Sequence, residues 1–208
     1  AISSYMSFRY PILNDTFFQG VNSLPPAHYL KISNSTNVEM VEYWSLCNLF
    51  KEQKNDKGEE YYLRNLRSLL DSSVEYRMIS DVPFGAFLSG GVDSSVITSI
   101  MSKNSSTPIK TYSIGFKEKG YNEFEYANII ASKFKTDHHE IVMNGDDYME
   151  TMDELISYKD APLSVPNEVP LYLMCKELKK DITVVLSGEG ADEIFGGYGR
   201  IFRSTDDY

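Results

Sequence analysis

The sequence predicts an α/β fold, a parallel sheet with helices on both faces, preceded by a short β-rich segment. Three observations carry that expectation. From Glu59 onward short apolar runs alternate with stretches of helical period, the pattern of a sheet covered on both faces. Two of those runs end in Ser-Gly turns, where the carboxyl end of a strand opens into a loop. Before Glu59, residues 1–46 are rich in aromatic and turn residues and show no helical period.

Taken in order, Phe17-Phe18, Tyr29 to Ile32 and Val38 to Trp44 are expected as short strands, with a turn at Leu24-Pro25-Pro26. Residues 47–58 are expected to be a linker whose charged run, 51–58, is a solvated loop. Tyr62, Leu66, Leu69, Leu70, Val74 and Arg77 then follow helical spacing. Strands are expected at Val82 to Leu88, Ile109 to Phe116, His138 to Val142 and Thr183 to Leu186. Helices are expected at Asp93 to Ser102, Glu123 to Phe134, Asp146 to Tyr158 and Val169 to Lys179. In such sheets ligands sit at the carboxyl ends of strands, which directs attention to Leu88-Ser89, Ile114-Gly115, Val142 onward and Leu186-Ser187.

Bulk properties narrow the function. The 208 residues make one domain, or one domain and a piece of another, and 42% of them are hydrophobic, enough for a real core. A formal net charge of −10 argues against binding nucleic acid through its phosphates. Cys47 and Cys175 show no metal spacing and read as free thiols of a cytoplasmic protein. No apolar run is long enough to cross a membrane, and no signal-peptide pattern is present. Neither end reads as a domain boundary, so a fragment of a longer protein is expected.

The first Ser-Gly turn, Leu88-Ser89-Gly90-Gly91-Val92-Asp93-Ser94-Ser95, can hold a multiply charged phosphate. It places free N–H groups at the positive end of a helix, and glycine lets the ligand come close. It is not a P-loop, which needs a Lys after its last Gly, because no Lys lies between Lys57 and Lys103. It is not a hydrolase elbow, because Phe87 stands where a Gly is required. The second turn, Ser187-Gly188-Glu189-Gly190-Ala191-Asp192-Glu193, also follows an apolar strand. Each turn carries an acid, and an acid beside a polyphosphate calls for Mg²⁺, which takes one or two carboxylates plus phosphate oxygens. Asp93 and Asp192 meet that need. The adjacent His138-His139 face opposite ways on a strand, which disfavours a metal pair.

S-G-G-x-D-S resembles the phosphate loop of the ATP pyrophosphatases (adenine nucleotide alpha hydrolase-like). Together with the second loop and Gly196-Gly197-Tyr198, it resembles the synthetase domain of glutamine-dependent asparagine synthetase. Tyr112-Ser113-Ile114-Gly115-Phe116 and Asp137-His138-His139-Glu140 resemble further motifs of that family in the same order. Tyr5 to Trp44 resembles the end of its glutaminase domain. The resemblance implies a glutaminase-like tail at 1–46, a linker at 47–58 and a truncated synthetase domain at 59–208.

The chemistry it implies is adenylation of a carboxylate by ATP, with loss of pyrophosphate, followed by displacement of AMP by ammonia from glutamine. The expected acceptor is the aspartate side chain. Ser89, Gly90, Gly91, Asp93 and Ser94 would hold the pyrophosphate part; Leu88, Ile114, Ser187 and Gly188 would hold adenosine. Asp93 and Asp192 would bind Mg²⁺, and Glu189 would stand beside the adenylate, so the catalytic residues are Glu189, Asp192 and Asp93. The partners are small molecules (ATP, the carboxylate, ammonia), with neither nucleic acid nor membrane, and the full-length protein is expected as a homodimer. Three departures stand out: no amino-terminal Cys nucleophile, no counterpart of a catalytic Lys, and Ala161 in Asp160-Ala161-Pro162 where the family often has Glu. A sugar acid or a lactam precursor therefore stays open as acceptor, and a tRNA-modifying pyrophosphatase shares the first loop.

Overall fold

The computed structural model describes residues 1–33, 37–51, 55–118, 122–159 and 161–199. Helix α1 (Ile2–Phe8) opens the chain, followed by strands β1 (His28–Ser33) and β2 (Asn37–Glu42), which pair as an antiparallel ribbon. Helices α2 (Leu46–Lys51) and α3 (Glu59–Met78) lead into the main sheet. Its strands and helices alternate as β3 (Phe84–Phe87), α4 (Val92–Lys103), β4 (Lys110–Phe116), α5 (Phe124–Phe134) and β5 (Asp137–Met143). Helices α6 (Gly145–Lys159) and α7 (Glu168–Leu178), strand β6 (Val184–Leu186) and the short helix α8 (Ala191–Phe195) complete it.

The four strands β5-β4-β3-β6 all run parallel. Successive side chains of a strand point to opposite faces, so each strand feeds two cores. Ala86 and Leu186 pack with Val74 of α3 and with Ile100 and Met101 of α4. Phe87, Tyr112, Ile114 and Val185 pack on the other face, with Met174 and Leu178 of α7. The expected fold class is therefore the observed one. Gly85 is needed for strand packing: a Cβ there would lie 2.5 Å from the Lys110 carbonyl oxygen and 2.9 Å from Ile182 Cδ1.

The order of the strands matters most for function. The chain steps outward from β3 to β4 to β5. Helices α6 and α7 then return it to the far side of β3, where Phe84 pairs with Val184, Gly85 with Val185 and Ala86 with Leu186. The direction of winding thus reverses between β3 and β6, and the crevice beyond their carboxyl ends is a topological switch point, where open α/β sheets bind ligands.

The amino-terminal segment differs from its sequence reading at three places. The absence of helical period predicted no helix there, yet Ile2–Phe8 is helical. It buries no residue, so no apolar stripe marks it, and Arg9 in the left-handed region closes it by donating its N–H to the Tyr5 carbonyl. Phe17-Phe18 is not a strand: the Thr16 hydroxyl accepts the Phe18 N–H at 3.1 Å and donates to the Val21 carbonyl at 2.7 Å, which curls this stretch into a turn. The expected linker begins as α2, whose six residues are too few to show a period; residues 52–54 of the charged run lie outside the described residues. The β-rich character holds in the ribbon of β1 and β2. In the sheet domain the expected elements are present with ends moved by one or two residues, and α8 is an element the sequence reading did not include.

Candidate functional site

Strand β3 ends in the first Ser-Gly loop, and that loop is held by a closed ring of hydrogen bonds. The Gly91 N–H donates to Ser89 Oγ at 3.2 Å, Ser89 Oγ lies 3.0 Å from Ser94 Oγ, and Ser94 Oγ donates to the Gly91 carbonyl at 3.3 Å. The Ser89 N–H adds a bond to Ser94 Oγ at 3.2 Å. Gly90 sits at φ 83°, in the left-handed region, with its Cα against Tyr126 of α5, so both backbone conformation and space call for glycine. Gly91 is the N-cap of α4 and supplies no side-chain cap, which leaves the first N–H groups of this helix for an anion.

Strand β6 ends in the second loop, which comes directly against the first. A Cβ on Gly188 would lie 2.8 Å from Asp93 Cβ and 3.2 Å from Ser94 N. No larger residue fits while the loops keep this spacing. A side chain on Gly197 would overlap the Asp192 carboxylate, so the Gly196-Gly197 turn is packed against that acid, and the Gly197 N–H donates to the Asp192 carbonyl at 3.1 Å. Tyr198 returns toward the loop: its hydroxyl donates to Glu193 Oε1 at 2.6 Å, and that bond pushes the Tyr198 pKa up to about 12.

Between the loops lies a cleft of about 490 Å³. Leu88, Ser89, Asp93, Ser94, Ile114, Ser187, Gly188, Glu189 and Asp192 all line it. Of the residues expected from sequence, Gly90 and Gly91 alone do not: the first faces α5 and the second caps α4. A larger groove of about 800 Å³ adjoins the cleft, shared along Asp93 and the Ser187 to Gly190 loop. Its remaining walls are mainly apolar residues of α3, α4 and β6, and Ser89, Ser94 and Ile114 have no part in it. A polar, charged ligand therefore suits the smaller cleft. The sequence reading missed part of the lining: Glu123 and Phe124 at the start of α5, Asn167 before α7, and Leu171 and Met174 within it. Only the Asn before a helix could have drawn notice. Asp160, noted in the sequence, lies outside the described residues, as do 200–208.

Among the described residues no cluster of three or more His, Cys, Asp or Glu could hold a metal ion by itself. Mg²⁺ does not ask for one, since phosphate oxygens and water complete its shell. Two carboxylates on one cleft, Asp93 and Asp192, fit that donor set. The two histidines point apart, as expected for neighbours on a strand: His138 Nδ1 lies 2.9 Å from Thr111 Oγ1, whereas the His139 ring stacks on Tyr112 at 5.1 Å.

The asparagine synthase family model matches residues 65–207. The chain belongs to the asparagine synthase family. It is 36% identical over 203 residues to the glutamine-hydrolysing asparagine synthetase 1 of Bacillus subtilis, covering 98% of this chain and 31% of that protein. A putative asparagine synthetase of Methanocaldococcus jannaschii is 38% identical over 157 residues, covering 75% and 30%. Asparagine synthetase B of Escherichia coli is 31% identical over 171 residues, covering 74% and 29%. The chain thus spans about a third of the length of the curated relatives it matches. No helix among the described residues is long and apolar enough to cross a membrane.

Proposed function

We propose that the cleft between the two Ser-Gly loops binds ATP with Mg²⁺, and that the protein uses it to turn a carboxylate into an amide. The observation that carries this reading is the contact of Gly188 with Asp93, which joins a phosphate-type loop and an acid-bearing loop on one cleft. Family membership supports it, and so do the relatives' names, which specify glutamine-hydrolysing asparagine synthetases.

Ser89 and Ser94, with the open N-terminus of α4 that Gly91 caps, receive the pyrophosphate part, and Gly90 bends the loop that carries them. Leu88, Ile114, Ser187 and Gly188 border the nucleoside. An oxygen of the acceptor carboxylate attacks the α-phosphorus, and the bond to the β-phosphate oxygen breaks to release pyrophosphate. The lone pair of ammonia then attacks the acyl carbon, AMP leaves with the former carboxylate oxygen, and the nitrogen sheds a proton. A carboxylate oxygen is a poor leaving group, and the mixed anhydride removes that obstacle. The chain's own work is to bring the groups together and to balance charge. Glu189, which lines the same cleft, would meet the ammonium that forms. Asp93 and Asp192 would hold Mg²⁺ with the phosphates; bound there, the ion would neutralise charge that the two acids otherwise repel.

Aspartate is the acceptor we favour, with ammonia drawn from glutamine in the whole protein. Residues 59–208 are then part of the synthetase domain, residues 1–46 the tail of a glutaminase-like domain, and 47–58 the link between them. A cytoplasmic homodimer is the form we assign to the whole protein. Exchange of labelled pyrophosphate into ATP tests the reading: it should require an acceptor acid, aspartate giving the highest rate among aspartate and a panel of uronic acids. Exchange driven best by a uronic acid would replace the acceptor; none with any acid would sink the adenylation step.

A further inference from the structure

His138 belongs to no part of the chemistry above, yet it stands directly behind the first loop. Its imidazole is half-buried between two hydroxyls of the neighbouring strand: Thr111 Oγ1 at 2.9 Å from Nδ1 and Ser113 Oγ at 3.5 Å from Nε2. Ser113, buried, donates its proton to the carbonyl of Leu88, and Thr111 Oγ1 lies 2.8 Å from Thr136 Oγ1. A serine hydroxyl has one proton. With that proton on Leu88, Ser113 can only accept from His138, which places the imidazole proton on Nε2 and leaves Nδ1 to accept from Thr111. The whole row has one polarity, from Thr136 through Thr111, His138 and Ser113 to Leu88.

The end of that row is a peptide that the cleft depends on. Leu88 donates its N–H to the Tyr112 carbonyl at 2.9 Å, and the next N–H, of Ser89, is held by Ser94 Oγ at 3.2 Å. The Leu88–Ser89 peptide is thus pinned at its carbonyl by Ser113 and at its nitrogen by Ser94. Leu88, Ser89, Ser94 and Ser113 all line the cleft. Were the Ser113 proton to turn into the cleft, the carbonyl of Leu88, a residue only 1% exposed, would lose its partner.

We propose that His138 is a positioning residue: its Nε2–H commits the Ser113 hydroxyl to the Leu88 carbonyl and so fixes the peptide that carries the nucleotide loop. Burial pushes the imidazole's pKa down, against the pull of Glu140, and so favours the neutral form that this polarity requires. His139 has no such role, since it faces Tyr112 and Asp137 instead.

The inference rests on the cleft being the ATP site. Binding of ATP with Mg²⁺ is measured by calorimetry on the unsubstituted chain and on His138→Ala, His138→Gln, Ser113→Ala and the double Ala variant, with urea unfolding alongside. His138→Ala and Ser113→Ala should each weaken ATP about tenfold, the size of one lost hydrogen bond in the site. Gln keeps a donor near the Nε2 position, so His138→Gln should stay within about threefold. The double variant should bind no more weakly than Ser113→Ala, because both act through one bond. Unchanged affinity in His138→Ala, a Gln variant as weak as the Ala variant, or additive losses would each overturn the positioning role. Should His138→Ala not fold, unchanged affinity in Ser113→Ala overturns it as well. No ATP binding by the unsubstituted chain would instead overturn the reading of the cleft itself.

Discussion

The two Ser-Gly loops look alike in sequence and are built differently. The first is stiff by its own hydrogen bonds: Ser89, Gly91 and Ser94 close a ring, Gly90 is wedged on Tyr126, and α4 continues for twelve residues behind it. The second has little of this. Ser187 Oγ receives one long bond from the Glu189 N–H at 3.4 Å, a Cβ on Gly190 (φ 89°) would meet nothing within 4 Å, and α8 lasts five residues. What fixes the second loop is the first, through Gly188 on Asp93, and the glycine turn on Asp192. One loop is a preformed cradle; the other is a lip that takes its place from the cradle.

The comparison predicts that the acids are equal although the loops are not. Asp93→Asn and Asp192→Asn should each lower pyrophosphate exchange by about 10³-fold, the scale of losing one charge-balancing group. An Asp192 variant with full exchange would confine the ion to the first loop. The glycines should separate the loops next. Gly90→Ala suffers both a left-handed backbone and an overlap with Tyr126, so roughly 2–4 kcal/mol should be lost in urea unfolding. Gly190→Ala has open space and only strain, roughly 1–2 kcal/mol. Equal losses would mean that the second loop is as tightly packed as the first.

Gly188→Ala probes their contact. It should weaken ATP binding about tenfold, with a smaller loss of stability than Gly90→Ala, because the lip can move away from Asp93 at the cost of the cleft. The smallest effect is pH dependence. His138 stands under the first loop only, and burial sets its folded pKa below the ordinary 6.5. Between those two values the unfolded chain binds the proton that the folded chain refuses. Stability should therefore fall as pH drops through 6.5 and level off below the folded pKa. His138→Gln should flatten that part of the unfolding curve, and a curve unchanged by the substitution would remove His138 from it.

The sheet domain was legible because each of its elements buries a face, and burial writes a period into the sequence. Val74 and Met101 are core and follow helical spacing, and Ala86 and Leu186 are core and sit in short apolar runs, as strands buried on both faces do. In the first 46 residues burial is scarce: Ile2, Met6, Tyr29, Ile32 and Trp44 are all exposed, so α1 left no stripe, and Phe17-Phe18 gave an apolar signal without a strand. The site was legible for a different reason. Its Ser, Gly and Asp residues are turn and cap residues whose chemistry is local, so Leu88 to Ser94 and Ser187 to Asp192 stand out wherever they lie. The walls at Phe124, Leu171 and Met174 are ordinary apolar residues, which carry no mark of the cleft they line.

By itself, then, the sequence determined the alternating strands and helices from Glu59 to Leu186 and the two loops with their acids, since these rest on local backbone preference and on burial. The tertiary structure alone decided that β6 lies beside β3 rather than beyond β5. Strand neighbours are chosen by hydrogen-bond partners remote in the chain, and no local pattern encodes them. That one choice brings Gly188 onto Asp93, across more than ninety residues of chain, and turns two anion-type turns into one cleft.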